Sequence, residues 1–456
     1  MAHRVAVILV VGLTESVIGV GTPRLKGLRA RGGLTYLRPC LPAVTCSVQS
    51  SMVTGLGVRE HGIVGNGWYD RESAEIRFWK QSNRLVHGEK VWETARGRDA
   101  SVTCAQMFWW YNMYSSADWS VTPRPQYRAD GRKVPDCYSH PAELRDELQG
   151  ELGTFPLFQF WGPGAGIASS EWIAEATLRV DAQHRPTLTM VYLPHLDYAH
   201  QKFGPDAPES DAAAGEIDGV VGRLLDRYER DGVRVIVVSE YGIEPVDNAV
   251  HVNRHLREAG LLRVRVEDGL ELLDAGASRA FAVADHQVAH VYVRDVADAI
   301  AVRGACEGLE GVESVLDRSA QREVGIDHER GGELVLVSEA RRWFSYYYWL
   351  NDRRAPDFAR CVDIHRKPGY DPVELFVDPA INAKWAIASR LVKKKLGFRT
   401  LMDVIPLDAS LVRGSHGRVT SDKARMPVML GAGDGEMGCA GVRDVILEKL
   451  FSADGE

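Results

Sequence analysis

The chain has 456 residues, 45% of them hydrophobic and 26% charged, which is enough for one large α/β domain with an insertion or for two domains. The formal net charge of -7 argues against a dedicated nucleic-acid binder, and the densest basic run, Lys393-Lys394-Lys395, reads as a solvated helix face. No apolar run reaches the roughly 18 residues that would span a bilayer.

In chain order, Met-Ala-His-Arg is followed at once by the apolar stretch 5–11. It reads as a strand buried on both faces, being too short for a signal peptide core. Gly19-Val20-Gly21 lacks the third glycine of a dinucleotide loop, and Thr22-Pro23 instead opens a helix to about residue 31. Helical patterns follow at 90–96, 171–182 and 215–230, and strand patterns at 101–106, 187–193, 234–239 and 427–430. This alternation predicts an α/β fold with a mostly parallel central sheet flanked by helices, and chemistry at the carboxyl ends of the strands.

Residues 250–400 read differently, with short strands at 280–284, 290–293 and 333–338 and the aromatic run Trp343, Phe344, Tyr346, Tyr347, Tyr348 and Trp349, which suits packing. The expected organisation is a core over 1–250, an inserted smaller α+β cap over 251–400 and a return to the core over 401–456. The seven cysteines (Cys40, Cys46, Cys104, Cys137, Cys306, Cys361, Cys439) are scattered and none has metal-knuckle spacing, which points to free thiols and a cytoplasmic location.

The most informative block is Pro42-Ala43-Val44-Thr45-Cys46-Ser47, with Thr54-Gly55 closing a helix and His61-Gly62-Ile63-Val64-Gly65-Asn66 after it. Thr45 and Ser47 read as capping residues and Gly55 as the stop. A hydroxyl in that first turn lies in the positive end of the helix dipole, where an alkoxide or a phosphoryl oxygen is stabilised. Taken alone, the segment also suits plain N-capping, the commoner duty of such a threonine. Cys46 reads as a packed thiol.

These words resemble the nucleophile region of the alkaline phosphatase superfamily, in particular its type I phosphodiesterase/nucleotide pyrophosphatase branch and the related phosphonoacetate hydrolases. The resemblance implies Thr45 as nucleophile and Asn66 as the phosphate-binding amide. It also implies two divalent ions, usually zinc, one holding the attacking hydroxyl and the other the phosphoryl oxygen. Of the family's ligand positions, Thr45, Asp197 (in Leu193-Pro194-His195-Leu196-Asp197) and His416 (in Gly414-Ser415-His416-Gly417) match, and Glu240 offers a replacement oxygen. The acid after the first strand is replaced at Val11, one histidine by Gln201 with His200 one residue off, and another by Tyr241. Gln and neutral Tyr are poor zinc ligands, so two zinc sites of the usual kind are not expected; the resemblance still implies that Asp197, Glu240 and His416 hold at least one divalent ion, zinc in the first instance.

Two further groups are candidates for a rebuilt site or a substrate wall. Asp285 and His286 suit a general acid or a new metal ligand; Asp363, His365, Arg366 and Lys367 add an acid, an imidazole and two anion clamps. Each of these residues equally suits a hydrogen-bonded structural role.

The resemblance implies a metal-dependent hydrolase or transferase of phosphate esters, phosphodiesters or phosphonates, acting on a phosphorylated or phosphonate small molecule through Thr45. Its alternative is a catalytically retired relative that binds a phosphorylated ligand or a partner protein. In a third reading the chemistry moves to the Asp285/His286 and Asp363/His365 groups.

Overall fold

The computed structural model describes residues 2–453 apart from 382–387, 391, 394, 395, 397 and 399. The reading of Lys394 and Lys395 as a helix face lies outside the described residues.

The first strand, β1 (Val5–Val10), is buried at every position, as a run of seven apolar residues requires at the centre of a covered sheet. Among the described residues nine strands make that sheet: β1, β2 (Leu34–Arg38), β3 (Cys104–Met107), β4 (Trp119–Pro123), β5 (Cys137–His140), β6 (Leu188–Leu193), β7 (Arg234–Val238), β12 (Val428–Leu430) and β13 (Gly435–Gly438). Their order is β13-β2-β12-β7-β1-β6-β3-β4-β5. The central run β7-β1-β6-β3-β4 is parallel, while β12 and the edge strand β5 pair antiparallel, so the sheet is mixed.

The helices that matter for the site are α1 (Pro23–Gly32), α2 (Thr45–Thr54), α3 (Val91–Arg98), α4 (Ile167–His184), α5 (His195–Phe203), α6 (Pro208–Arg230) and α7 (Val442–Phe451). Their apolar residues join the strands in one hydrophobic core. α5 starts directly after β6, and the chain after β7 turns at once into the segment bearing Glu240 and Tyr241. The functional side chains therefore gather at the carboxyl ends of the strands.

A second sheet has the order β8-β9-β11-β10, formed by β8 (Ala280–Asp285), β9 (Val288–Val293), β10 (Val312–Leu316) and β11 (Leu334–Ser338). All its pairings are antiparallel. It has its own hydrophobic cluster, in which Trp343, Phe344, Tyr346, Tyr347, Tyr348 and Trp349 are all buried. The aromatic run is packing, as its density predicts. Two short pairings bring distant segments of the chain together beside the site. Glu244–Pro245 pairs antiparallel with Gly414–Ser415, and Ala284 bridges to Gly369. The first places His416 beside Tyr241, and the second places Tyr370 beside His286.

Candidate active site

α2 does not start as the sequence predicts. Val44, in extended conformation, takes the N-cap position, and Thr45 is already helical. Neither expected cap hydroxyl caps. Thr45 Oγ1 donates to Glu240 Oε1 at 2.9 Å and lies 3.2 Å from Tyr241 Oη, while Ser47 Oγ donates to the Ile63 carbonyl at 2.8 Å. The free N–H of Cys46 is instead met by Asn66 Oδ1 at 3.0 Å, a cap supplied from twenty residues away along the chain. Gly55 ends the helix in left-handed conformation, φ 71°, as expected of a glycine stop.

Around this hydroxyl the chain assembles a closed polar network. Glu240 Oε2 accepts from Gln49 Nε2 at 2.8 Å, Gln49 lying one turn beyond Thr45 on α2. Tyr241 Oη donates to Asp197 Oδ1 at 3.3 Å, and Gln201 Nε2 donates to Asp197 Oδ2 at 2.6 Å from the next turn of α5. Tyr370 Oη donates to Gln201 Oε1 at 3.1 Å. Asp285 reaches in from the end of β8 and accepts from the Asn66 backbone N–H at 2.7 Å and its Nδ2 at 3.1 Å. The close passage behind Tyr241 needs glycine: a Cβ on Gly242 would lie 1.8 Å from the Arg425 carbonyl oxygen.

Four aromatic rings stack through the same space. Tyr241 lies on His416 with centroids 3.5 Å apart, His416 meets His286 at 3.8 Å, and His286 meets Tyr370 at 3.6 Å. His286 sits at the β8–β9 turn with φ 60°, a left-handed conformation held by the stack and by its 2.8 Å contact with Asp285 Oδ1. His416 Nδ1 contacts the Ala43 carbonyl at 2.8 Å, and its Nε2 lies 4.0 Å from Asp197 Oδ1.

The electrostatics follow from burial. Three carboxyl groups lie in one buried site, and desolvation raises all of them: Glu240 to about 8, Asp197 to about 7 and Asp285 to about 6. The hydrogen bonds from Gln49 and Thr45 oppose the shift at Glu240 without cancelling it. Burial likewise holds His286 and His416 well below the ordinary imidazole range, so both rings are neutral near pH 7. Burial pushes the Cys46 thiol well up, which makes it the inert packed cysteine expected.

The structure brings together Thr45, Asn66, Asp197, Gln201, Glu240, Tyr241, Asp285, His286 and His416. It does not bring in the second candidate group. Arg366 is exposed and pairs with Asp363 at 2.5 Å, and His365 is exposed beside Tyr127. Lys367 is buried against Asp371 and Glu374, each at 2.7 Å, so it is a structural ion pair and no anion clamp. Gln49 and Tyr370 are members the sequence reading missed. Gln49 is four residues beyond Thr45, the spacing of one helix face, and could have been found that way. Tyr370 carried no comparable signal.

The donor set fits neither the paired zinc ions that the resemblance implies nor a single divalent ion on Asp197, Glu240 and His416. Among the described residues no three His, Cys, Asp or Glu side chains are grouped to hold a metal ion. Of the polar atoms in the network, only His286 Nε2 and His416 Nε2 are buried without a partner. Structural zinc takes four ligands and catalytic zinc three from the protein.

The mixed sheet flanked by helices, with a threonine at a helix start facing acids at the strand ends, is the arrangement that the resemblance to the alkaline phosphatase superfamily implies. A crystal structure of phosphonoacetate hydrolase from Sinorhizobium meliloti with phosphonoacetate superposes with a TM-score of 0.63 at 16% identity, covering 98% of this chain and 96% of that one. Murine ectonucleotide pyrophosphatase/phosphodiesterase 5 with AMP gives 0.59 at 12% identity, covering 100% and 97%. The chain belongs to the type I phosphodiesterase/nucleotide pyrophosphatase family, whose model matches residues 5–371. It is 26% identical over 238 residues to an uncharacterized pyrophosphatase/phosphodiesterase of Schizosaccharomyces pombe, a match over 50% of this chain and 42% of that protein. It is also 26% identical over 253 residues to ectonucleotide pyrophosphatase/phosphodiesterase family member 1 of Rattus norvegicus, over 53% and 24%. The chain thus spans less than half the length of these curated relatives. Among the described residues no helix is long and apolar enough to cross a membrane.

Proposed function

We propose that this chain hydrolyses phosphate esters, phosphodiesters or phosphonates of small molecules, with Thr45 as nucleophile and Glu240 as the base that receives its proton. The observation that carries this reading is the 2.9 Å hydrogen bond from Thr45 Oγ1 to Glu240 Oε1 at the start of α2. As the Oγ–phosphorus bond forms, the Thr45 proton passes to Glu240 and the bond from phosphorus to the leaving oxygen, or to the leaving carbon of a phosphonate, breaks, the leaving group taking a proton from water; a water molecule then attacks phosphorus and breaks the Oγ–phosphorus bond, which restores the Thr45 hydroxyl and frees the phosphoryl product. Gln49 holds the carboxylate in line from its other oxygen. No step is routed through a metal, because the donor set does not fit one. Thr45 is only 3% exposed, so a substrate reaches it once the side chains around it part.

The division into a core over 1–250 and 401–456 with a cap over 251–400 is part of this proposal; the hydrophobic cluster under the smaller sheet supports a second layer, and it also takes in Phe78, Val246, Val404, Ile405 and Val412 from the segments assigned to the core. A cytoplasmic location is proposed on the seven free cysteines.

A second reading, ligand binding without turnover, is favoured by one specific observation. Both polar ends of the Asn66 amide are already bonded within the protein, to Cys46 N–H and to Asp285. A panel of aryl phosphate monoesters, aryl phosphodiesters and phosphonoacetate, run on the parent chain and on Thr45→Ala, separates the two. Turnover lost in Thr45→Ala supports the hydrolase. Binding of AMP by both chains with turnover by neither supports the second reading.

A further inference from the structure

We propose that this chain keeps no resident metal ion, because neutral side chains of its own, Tyr241 and Gln201 above all, have taken over the acids that would hold one. Every carboxylate oxygen in the site already accepts a hydrogen bond from the protein. Glu240 receives Thr45 and Gln49, Asp197 receives Tyr241 and Gln201, and Asp285 receives the Asn66 backbone and amide. Tyr241 Oη joins Thr45 to Asp197, so one phenol links the nucleophile to the acid of α5. Gln201 is fixed in turn by Tyr370.

What remains is the pair of buried nitrogens without a hydrogen bond, His286 Nε2 and His416 Nε2, the latter 4.0 Å from Asp197 Oδ1. Their rings lie over one another, centroids 3.8 Å apart with 37° between planes. Imidazole lone pairs lie in the ring plane, so stacked rings point them side by side and do not converge them on one ion. Tyr241 stacks on the other face of His416 at 7° between planes, and Tyr370 on the other face of His286. The histidines are thus held as packing aromatics. Gly12, in the turn where the family's first acid would stand, faces His200: a Cβ there would lie 3.3 Å from its Nδ1.

This inference concerns metal content and does not depend on turnover. The test is elemental analysis of the full chain purified from medium supplemented with zinc and manganese, together with its unfolding midpoint with and without EDTA. The expected result is well under about 0.1 ion per chain and an unchanged midpoint. Retention of about one ion or more per chain, with a midpoint lowered by EDTA, overturns it. In the Tyr241→His/Gln201→His double variant two imidazoles are placed beside Asp197 and His416, and about one tightly bound zinc per chain is expected. A folded double variant that still binds no zinc overturns the assignment of Tyr241 and Gln201 as the residues that keep metal out. Should the double variant not fold, the parent's metal content still decides the proposal. A parent that is metal-free and inactive on every ester sinks the hydrolase reading and leaves this one standing; a parent that is active and loses its activity to EDTA does the reverse.

Discussion

Tyr241 lies flat on His416, ring centroids 3.5 Å apart and planes 7° from parallel, while its hydroxyl sits 3.2 Å from Thr45 Oγ1. One side chain thereby touches the proposed nucleophile, the acid of α5 and the histidine of the C-terminal segment. Tyr241→Phe keeps the stack and removes both hydroxyl contacts. It is expected to lower stability by about 1–3 kcal/mol in urea unfolding, because Asp197 Oδ1 loses its donor in a buried site.

Thr45→Ala is expected to lower kcat by about 10³-fold or more, with Thr45→Ser retaining activity. Initial rates on an aryl phosphodiester check this, with circular dichroism to show that both variants fold. Equal loss in both variants points to packing damage in place of lost nucleophilicity.

Glu240→Gln is expected to cost about 10²–10⁴-fold in kcat, the usual worth of a general base. Because burial raises Glu240 to about 8, the parent's kcat should climb between pH 7 and 9 as the carboxyl loses its proton. Gln49→Ala removes a hydrogen bond that favours the charged form, so its profile should shift to higher pH. A profile unmoved by Gln49→Ala contradicts the role given to Glu240.

Stability should run the opposite way to activity. Asp197 and Glu240 bind protons more tightly folded than unfolded, so their contribution is full in acid and is lost as pH rises through about 7 and about 8. The lowered His286 and His416 oppose this only below their unfolded range near 6.5, where the unfolded chain takes up protons. Urea unfolding from pH 6.5 to 8.5 should therefore show falling stability, and Glu240→Gln should flatten the slope. A parent whose stability rises across that window refutes the assignment.

Lys367→Met leaves Asp371 and Glu374 buried without their cation and should cost about 3–5 kcal/mol. Arg366→Ala, at an exposed pair, should change stability by less than about 1 kcal/mol and leave KM unaltered. A raised KM in Arg366→Ala would return that residue to the substrate wall.

The central sheet was legible because its strands are continuous apolar runs: residues 187–193 and 234–239 contain Leu188–Leu193 and Arg234–Val238. The helix at Thr45 was legible, and its cap was not. The cap partner, Asn66, and the carboxyl that accepts the Thr45 hydroxyl, Glu240, come from distant segments that no local pattern links to Thr45. The candidates at 363–367 failed for the same physical reason. Charge and residue type do not tell a lysine facing a cleft from one buried between two acids, as Lys367 is. Tyr370, in that same loop, is held at the site by the bridge from Gly369 to Ala284 and by its own N–H donating to the Ala284 carbonyl.

Rapid acid quench of the chain during turnover of an aryl phosphodiester, followed by peptide mass spectrometry, looks directly at the hydroxyl on which the hydrolase reading rests. A phosphoryl group on Thr45 is the expected result, and it should be missing from Thr45→Ala. Turnover with Thr45 recovered unmodified at every time point would contradict that reading.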